Sequence, residues 1–166
     1  MPAPHTTAPQ PDTAAQGPGA DEAGLVVVSE NGIGPYGQRV RAGHHLLAAD
    51  EPEPAGADSG PSPYDLLLAA LGACTSMTVR MYADRKGWPL EKVTVSLRNR
   101  RIHAAGCAAC DGGNRQVSHI TREIRLDGAL DADQRRRLME IAEKCPVHRT
   151  LTAGAVISTT PAPAQP

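Results

Sequence analysis

The chain has 166 residues, 40% of them hydrophobic, and a formal net charge of -1. That size and balance describe one ordinary domain, with no unbroken apolar run of eighteen residues to cross a membrane and no charge excess to attract nucleic acid or an anionic bilayer. With three Tyr, one Trp and no Phe, the core must be built from Leu, Val, Ile, Met and Ala, a light core that a second copy of the chain would help to complete.

Residues 1–20 are rich in Pro, Ala, Thr and Gln and are expected to form a disordered tail, as are residues 161–166. The start has neither the basic residues nor the apolar stretch of an export signal, so a cytoplasmic location is expected. In that reducing compartment the four cysteines point to catalysis or metal binding rather than to structural bridges. A single domain is expected over residues 21–160.

Within it, the β-branched run from Leu25 to Ser29 predicts a strand, with Asn31-Gly32 as the turn after it. The partner strand is expected over residues 38–49, with Arg39 and Arg41 on one face and Val40 on the other. Residues 50–60, mixed Asp, Glu, Pro and Gly, read as a loop. Ser62-Pro63 followed by Asp65 is a helix start, and the helix is expected to run to about Lys86, with Gly87 as its left-handed exit and Pro89 as its stop. From Leu66 to Ala73 no side chain is polar, so this half of the helix should be central, with Ala69, Ala70, Gly72 and Ala73 allowing close approach. Cys74 ends the apolar run.

Glu91 to Arg98 alternates strictly, with Val93, Val95 and Leu97 on one face, and predicts a half-buried antiparallel strand. A cysteine-containing segment and a second strand around Ile120–Leu126 should complete a hairpin. Asp131 with Gln134 signals another helix start, and Leu138, Ile141, Ala142 and Cys145 share one face of that helix, opposite Arg135, Arg136, Glu140 and Glu143. Pro146 ends it and can open a short helical turn to Leu151. A last strand is expected over residues 155–160. The order defines an α+β fold with antiparallel sheets packed on central helices.

Cys145 stands at the start of a helical turn, where free N–H groups and the helix dipole favour a thiolate, with Lys144, His148 and Arg149 close in sequence. It reads equally as the last apolar residue of its helix face. Two cysteines on buried helix faces raise the prospect that they meet, which is what peroxide reduction requires: one sulfur becomes a sulfenic acid and the other closes a disulfide.

The stretches Gly60-Pro61-Ser62-Pro63-Tyr64-Asp65-Leu66, Ala69-Ala70-Leu71-Gly72-Ala73-Cys74-Thr75-Ser76-Met77 and Cys145-Pro146-Val147-His148-Arg149-Thr150-Leu151 resemble the OsmC/Ohr family of osmotically inducible and organic hydroperoxide resistance proteins. The resemblance covers about residues 25–160. It implies an intertwined homodimer with sheets wrapped around central helices and no cofactor. Cys74 would be the peroxidatic thiol, Cys145 the resolving one, an organic hydroperoxide the substrate and a cellular dithiol the reductant. It also implies an arginine from the N-terminal hairpin and a glutamate directly after the helix-start proline. Here Tyr64 takes the glutamate's place, and Arg39, Arg41, His45 and Glu51 are the candidates for the supporting cation and carboxylate, each also readable as a solvated strand or loop residue. Leu67, Leu71, Met77 and Met81 are candidates for an apolar substrate wall, or are ordinary core.

His103, Cys107, Cys110 and Asp111, with His119 as another possible fourth ligand, have a spacing that could hold zinc. Cys107 and Cys110 could instead be a redox pair, or two reduced thiols in a hairpin loop, and no metal is assigned. The leading reading is a thiol-dependent peroxidase. The rival is a non-catalytic redox-sensing or apolar-ligand-binding protein, favoured by Tyr64.

Overall fold

The computed structural model describes residues 24–103 and 116–163, which fall into two compact units divided between Pro63 and Tyr64. In the first unit the β-branched run forms β1 (Val26–Glu30), paired antiparallel with β2 (Gln38–Ala42). The single partner strand expected over residues 38–49 is in fact two. Gly43 adopts φ +60°, a left-handed conformation that ends β2 and turns the chain into β3 (His45–Ala49), giving a meander β1-β2-β3. Most of its side chains are exposed, including Val26, Val28, Leu46 and Leu47.

The loop after β3 is organised by one carboxylate. Asp50, almost fully buried, accepts from the N–H groups of Glu51 (2.8 Å), Ala57 (3.2 Å) and Ser59 (3.1 Å) and from the Ser59 hydroxyl (2.9 Å). Its own N–H donates to the Pro61 carbonyl at 3.2 Å. The loop is thus tied at its start, middle and end.

In the second unit α1 (Pro63–Lys86) ends where expected, with Gly87 at φ +64°. Its buried face is Leu71, Gly72, Thr75, Val79 and Ala83. Apolarity on all sides predicted burial on all sides, but Ala70, Ala73, Met77 and Met81 form an exposed stripe on the other side. By length and composition α1 is also long and apolar enough to cross a membrane, although its apolar run is not unbroken. Here it is the core helix of an α+β unit.

The alternating segment forms β4 (Leu90–His103), paired antiparallel with β5 (Gln116–Gly128). Gly72 lets α1 approach β4 closely, since a Cβ there would lie 2.9 Å from Leu97 Cδ1. Next come α2 (Ala132–Ala142) and α3 (Pro146–Ala153). Asp131 caps α2 through a reciprocal pair: its carboxylate accepts the Gln134 N–H at 2.7 Å, and Gln134 Oε1 accepts the Asp131 N–H at 3.1 Å. The core lies between α1, the hairpin and α2, built from Val79, Ala83, Leu90, Leu126, Leu138 and Ala142. Burying a side chain such as Leu138 contributes about 1.5–3 kcal/mol.

Arg80 and Arg135 bind this unit to its own backbone. Arg80 donates to the carbonyls of Leu90 (2.6 Å) and Glu91 (2.9 Å). Arg135, expected on the solvated face of α2, instead donates to the carbonyls of Leu126 (2.6 Å), Gly128 (2.9 Å) and Leu130 (3.3 Å). The last strand expected over residues 155–160 does not form. A strand needs a ladder partner, and among the described residues none pairs with this segment, whose Val156 and Ile157 are 97% and 87% exposed.

Candidate active site

Cys74 lies on α1 where the buried face meets the exposed stripe, three residues after buried Leu71 and one before buried Thr75. Cys145 follows α2 and is the residue before α3, in extended conformation with Pro146 as the first helical residue, so the proline stop identified in the sequence is what sets the thiol at a helix entrance. The fold brings the two together, close enough for each thiol to shift the ionisation of the other. Both are free thiols, Cys74 partly accessible and Cys145 fully enclosed.

Their environments divide the charge unequally. Burial pushes the Cys74 thiol above its ordinary value, and the neighbouring Cys145 adds to the effect, outweighing help from the Val147 N–H and Thr78. Burial also opposes a Cys145 thiolate, but Cys74, the His148 N–H, the Thr75 hydroxyl and the Val147 N–H together draw Cys145 below its ordinary value. The two N–H groups belong to the first turn of α3 and act on the sulfur without closing a formal side-chain cap.

A residue that sequence reasoning passed over completes the surroundings. Arg122, on β5, has a side chain only 10% exposed. It donates to Thr75 Oγ1 at 2.9 Å, to the Ala142 carbonyl at 3.4 Å and to Glu143 Oε1 at 2.7 Å. Glu143 also pairs with His148 Nε2 at 3.2 Å. In the sequence Arg122 is one polar residue among several on a mixed strand. Only its depth in the fold, which no local pattern carries, distinguishes it. Beside it lies a cleft of about 410 Å³ with Leu71, Ile120 and Leu151 as apolar lining and Arg122, Glu143 and His148 as polar lining.

Of the apolar wall candidates, Leu71 lines this cleft and Leu67 is half-buried, whereas Met77 and Met81 are 65% and 72% exposed on the opposite stripe. Arg39 and Arg41 are exposed on β2, His45 is exposed with its ring 3.9 Å from that of His44, and Glu51 is half-buried in the loop. All four belong to the first unit, the two cysteines to the second. Tyr64 and Asp65 open α1, Tyr64 half exposed. Cys107, Cys110 and Asp111 lie outside the described residues. His103 ends β4 opposite Gln116 and His119 stands opposite Arg100. Among the described residues no group of three His, Cys, Asp or Glu side chains could hold a metal ion.

The α+β fold is shared with known proteins. The profile of OsmC-like proteins matches residues 56–160, and the chain belongs to that family. Among solved structures, an OsmC-like protein from Mycoplasma pneumoniae superposes with a TM-score of 0.61 at 18% identity, over 77% of this chain and 86% of that one. An organic hydroperoxide resistance protein OsmC from Legionella pneumophila gives 0.55 at 20% identity, over 76% and 88%. An organic hydroperoxide resistance protein from Elizabethkingia anophelis, with thiocyanate bound, gives 0.55 at 14% identity, over 76% and 87%. At these identities the likeness shows the fold. No curated protein matches the sequence.

Proposed function

We propose that the protein is a thiol-dependent reductase of organic hydroperoxides, working as a homodimer through Cys74 and Cys145 in a reducing compartment. The observation that carries this reading is the meeting of the two thiols, one accessible and one enclosed. Accessibility assigns the attack to Cys74. Its sulfur bonds to the outer peroxide oxygen as the O–O bond breaks, leaving a sulfenic acid and an alcohol. Cys145 then displaces the hydroxyl group and closes the disulfide, which a cellular dithiol reduces with two electrons and two protons. The apolar lining of the adjacent cleft by Leu71, Ile120 and Leu151 favours an alkyl or aryl hydroperoxide over hydrogen peroxide. One of Arg39, Arg41 and His45, with Glu51, is the proposed support of the attacking thiol.

A second reading has Tyr64 in its favour, since it stands where the resemblance implies a glutamate: the dithiol senses oxidation, or the cleft holds an apolar ligand, without turnover. Consumption of cumene hydroperoxide and of hydrogen peroxide in the presence of a dithiol separates the two. The peroxidase reading expects faster consumption of cumene hydroperoxide, its loss in Cys74→Ser, and a Cys74–Cys145 disulfide in peptide maps of the oxidised protein. A mapped disulfide without turnover establishes the sensing reading, and a sole Cys107–Cys110 bridge overturns the choice of thiols.

A further inference from the structure

We propose that the trough between α1 and β4 binds an amphipathic anion, an elongated apolar molecule with a carboxylate or phosphate head, at a place separate from both thiols. Two adjoining clefts of about 410 Å³ and about 560 Å³ make up the trough, and they share Asp65, Leu68 and Leu97. The inner cleft is walled by Leu68, Ala69, Gly72 and Ala73 of α1 and by Val95 and Leu97 of β4. Leu68, Val95 and Leu97 are only half-buried, and Ala69 and Ala73 are exposed, so the fold leaves this apolar wall open. The outer cleft adds Tyr64, Asn99 and three arginines, Arg98, Arg100 and Arg101. Apolar and cationic surface are thus separated along one path. From Val95 to Arg101 the strand advances about 20 Å, which suits an extended chain with its head at one end.

No carboxylate of the unit is paired with these three charges. Arg80, Arg122 and Arg135 are spent on backbone carbonyls and on Glu143, whereas among the described residues no ion pair reaches Arg98, Arg100 or Arg101. In the β4–β5 register they stand opposite Thr121, His119 and Ser118, none of them acidic. The one carboxylate lining the trough, Asp65, lies in the first turn of α1, where the positive end of the helix dipole partly offsets its charge. Guanidinium groups bind carboxylate and phosphate through paired N–H donors. A hydrocarbon laid against Leu68, Val95 and Leu97 leaves water together with them. A head without a chain, or a chain without a head, satisfies only one end.

The trough is not the thiol site. Asp65, Ala69, Gly72 and Ser76 follow one another at steps of four, three and four residues along one face of α1. Cys74, two residues from Gly72 and two from Ser76, is turned away from that face by the helical period, and neither thiol lines either cleft. Binding there requires no peroxide chemistry and goes beyond the peroxidase reading.

Titration calorimetry and methyl NMR on the reduced full-length chain test the site. The probes are decanoate and decyl phosphate below their micelle concentrations, decan-1-ol as the uncharged chain, and acetate and inorganic phosphate as heads alone. Decanoate or decyl phosphate should bind saturably, the tighter of the two naming the head, and should shift the methyl resonances of Leu68, Val95 and Leu97 rather than those of Leu71, Ile120 and Leu151. Decan-1-ol and the free heads should bind more weakly by about tenfold or more, as expected for losing hydrogen bonds to a charged group or the apolar contact. Arg98→Gln, Arg100→Gln and Arg101→Gln combined should weaken the anion by a similar factor, and the three lysine replacements should recover only part of it. Ala69→Glu, at an exposed helical position, should weaken binding while leaving the arginines intact. Thermal melts establish that each variant is folded. Equal affinity for decan-1-ol, anion binding unmoved by the glutamine replacements, or methyl shifts confined to Leu71, Ile120 and Leu151 overturns the inference. So does a native chain that binds no probe and forms a dimer which Ala69→Glu disrupts, since the trough then belongs to a second copy.

Discussion

A residue's chemistry in this chain is set less by its neighbours in sequence than by who donates to it. Asp50 shows this outside the thiol site. Hydrogen bonds led by the Ser59 N–H hold its carboxyl below the ordinary range, against the opposing effect of burial, with the Ser59 hydroxyl and the Glu51 and Ala57 N–H groups adding to the first. A depressed carboxyl stabilises the folded loop above its unfolded value near about 3.9 and loses that contribution as pH falls through its folded value. Hydrogen-exchange protection of residues 51–60 should therefore be full at neutral pH and fall only in strong acid. In Asp50→Asn it should be low and nearly flat across the same range. Equal protection in the two proteins would show that the loop holds without the charge. The sequence marked residues 50–60 as a loop but gave no means of telling Asp50 from Glu51 or Glu53, because the distinguishing donors lie up to nine positions away. Cys74 and Cys145 were legible as candidates since each sits at a local landmark, the end of an apolar run and a proline stop. Arg122 has no such landmark.

At the scale of elements, the strongest local patterns survived folding: the capped α2, the glycine exit of α1 and the alternation of β4 all appear where the residues place them. What did not survive depended on partners. Residues 38–49 read as one strand because nothing in Gly43-His44 demanded a turn, and Ala155–Thr160 read as a strand because β-branched residues favour one whenever a sheet edge is at hand. Arg135 was misplaced for a related reason. Helical periodicity puts it on the polar face of α2 but cannot foresee the row of β5 carbonyls it reaches. Since it satisfies the carbonyls of Leu126, Gly128 and Leu130 with one planar fork, Arg135→Met should destabilise the unit by about 2–3 kcal/mol. Arg135→Lys should recover only a small part, because a single ammonium cannot reproduce the fork. Denaturant unfolding measures both. A loss below about 0.5 kcal/mol, the size of an ordinary surface substitution, would return Arg135 to the solvated face.

For the whole molecule, the decisive feature is how much apolar surface a single chain leaves uncovered. In the first unit, Val26, Val28, Leu46 and Leu47 are exposed on a three-stranded sheet. In the second, α1 presents Ala70, Ala73, Met77 and Met81 as a continuous stripe. Beyond α3, Val156 and Ile157 are almost fully exposed. Patches of this extent on a water-exposed chain mark interfaces. A membrane would cover the helix but not the open strand edges, whose N–H and C=O groups need hydrogen-bonding partners that lipid lacks. A second copy supplies both apolar surface and backbone partners, so we expect the chain to be an obligate homodimer. Sedimentation equilibrium in detergent-free buffer should give twice the chain mass even at low concentration. Met77→Glu combined with Met81→Glu should shift the mass toward one chain and lower the melting temperature together, because in an obligate dimer association and folding are one equilibrium. A native chain that sediments as a single copy, with a cooperative melt independent of concentration, would rule out that architecture.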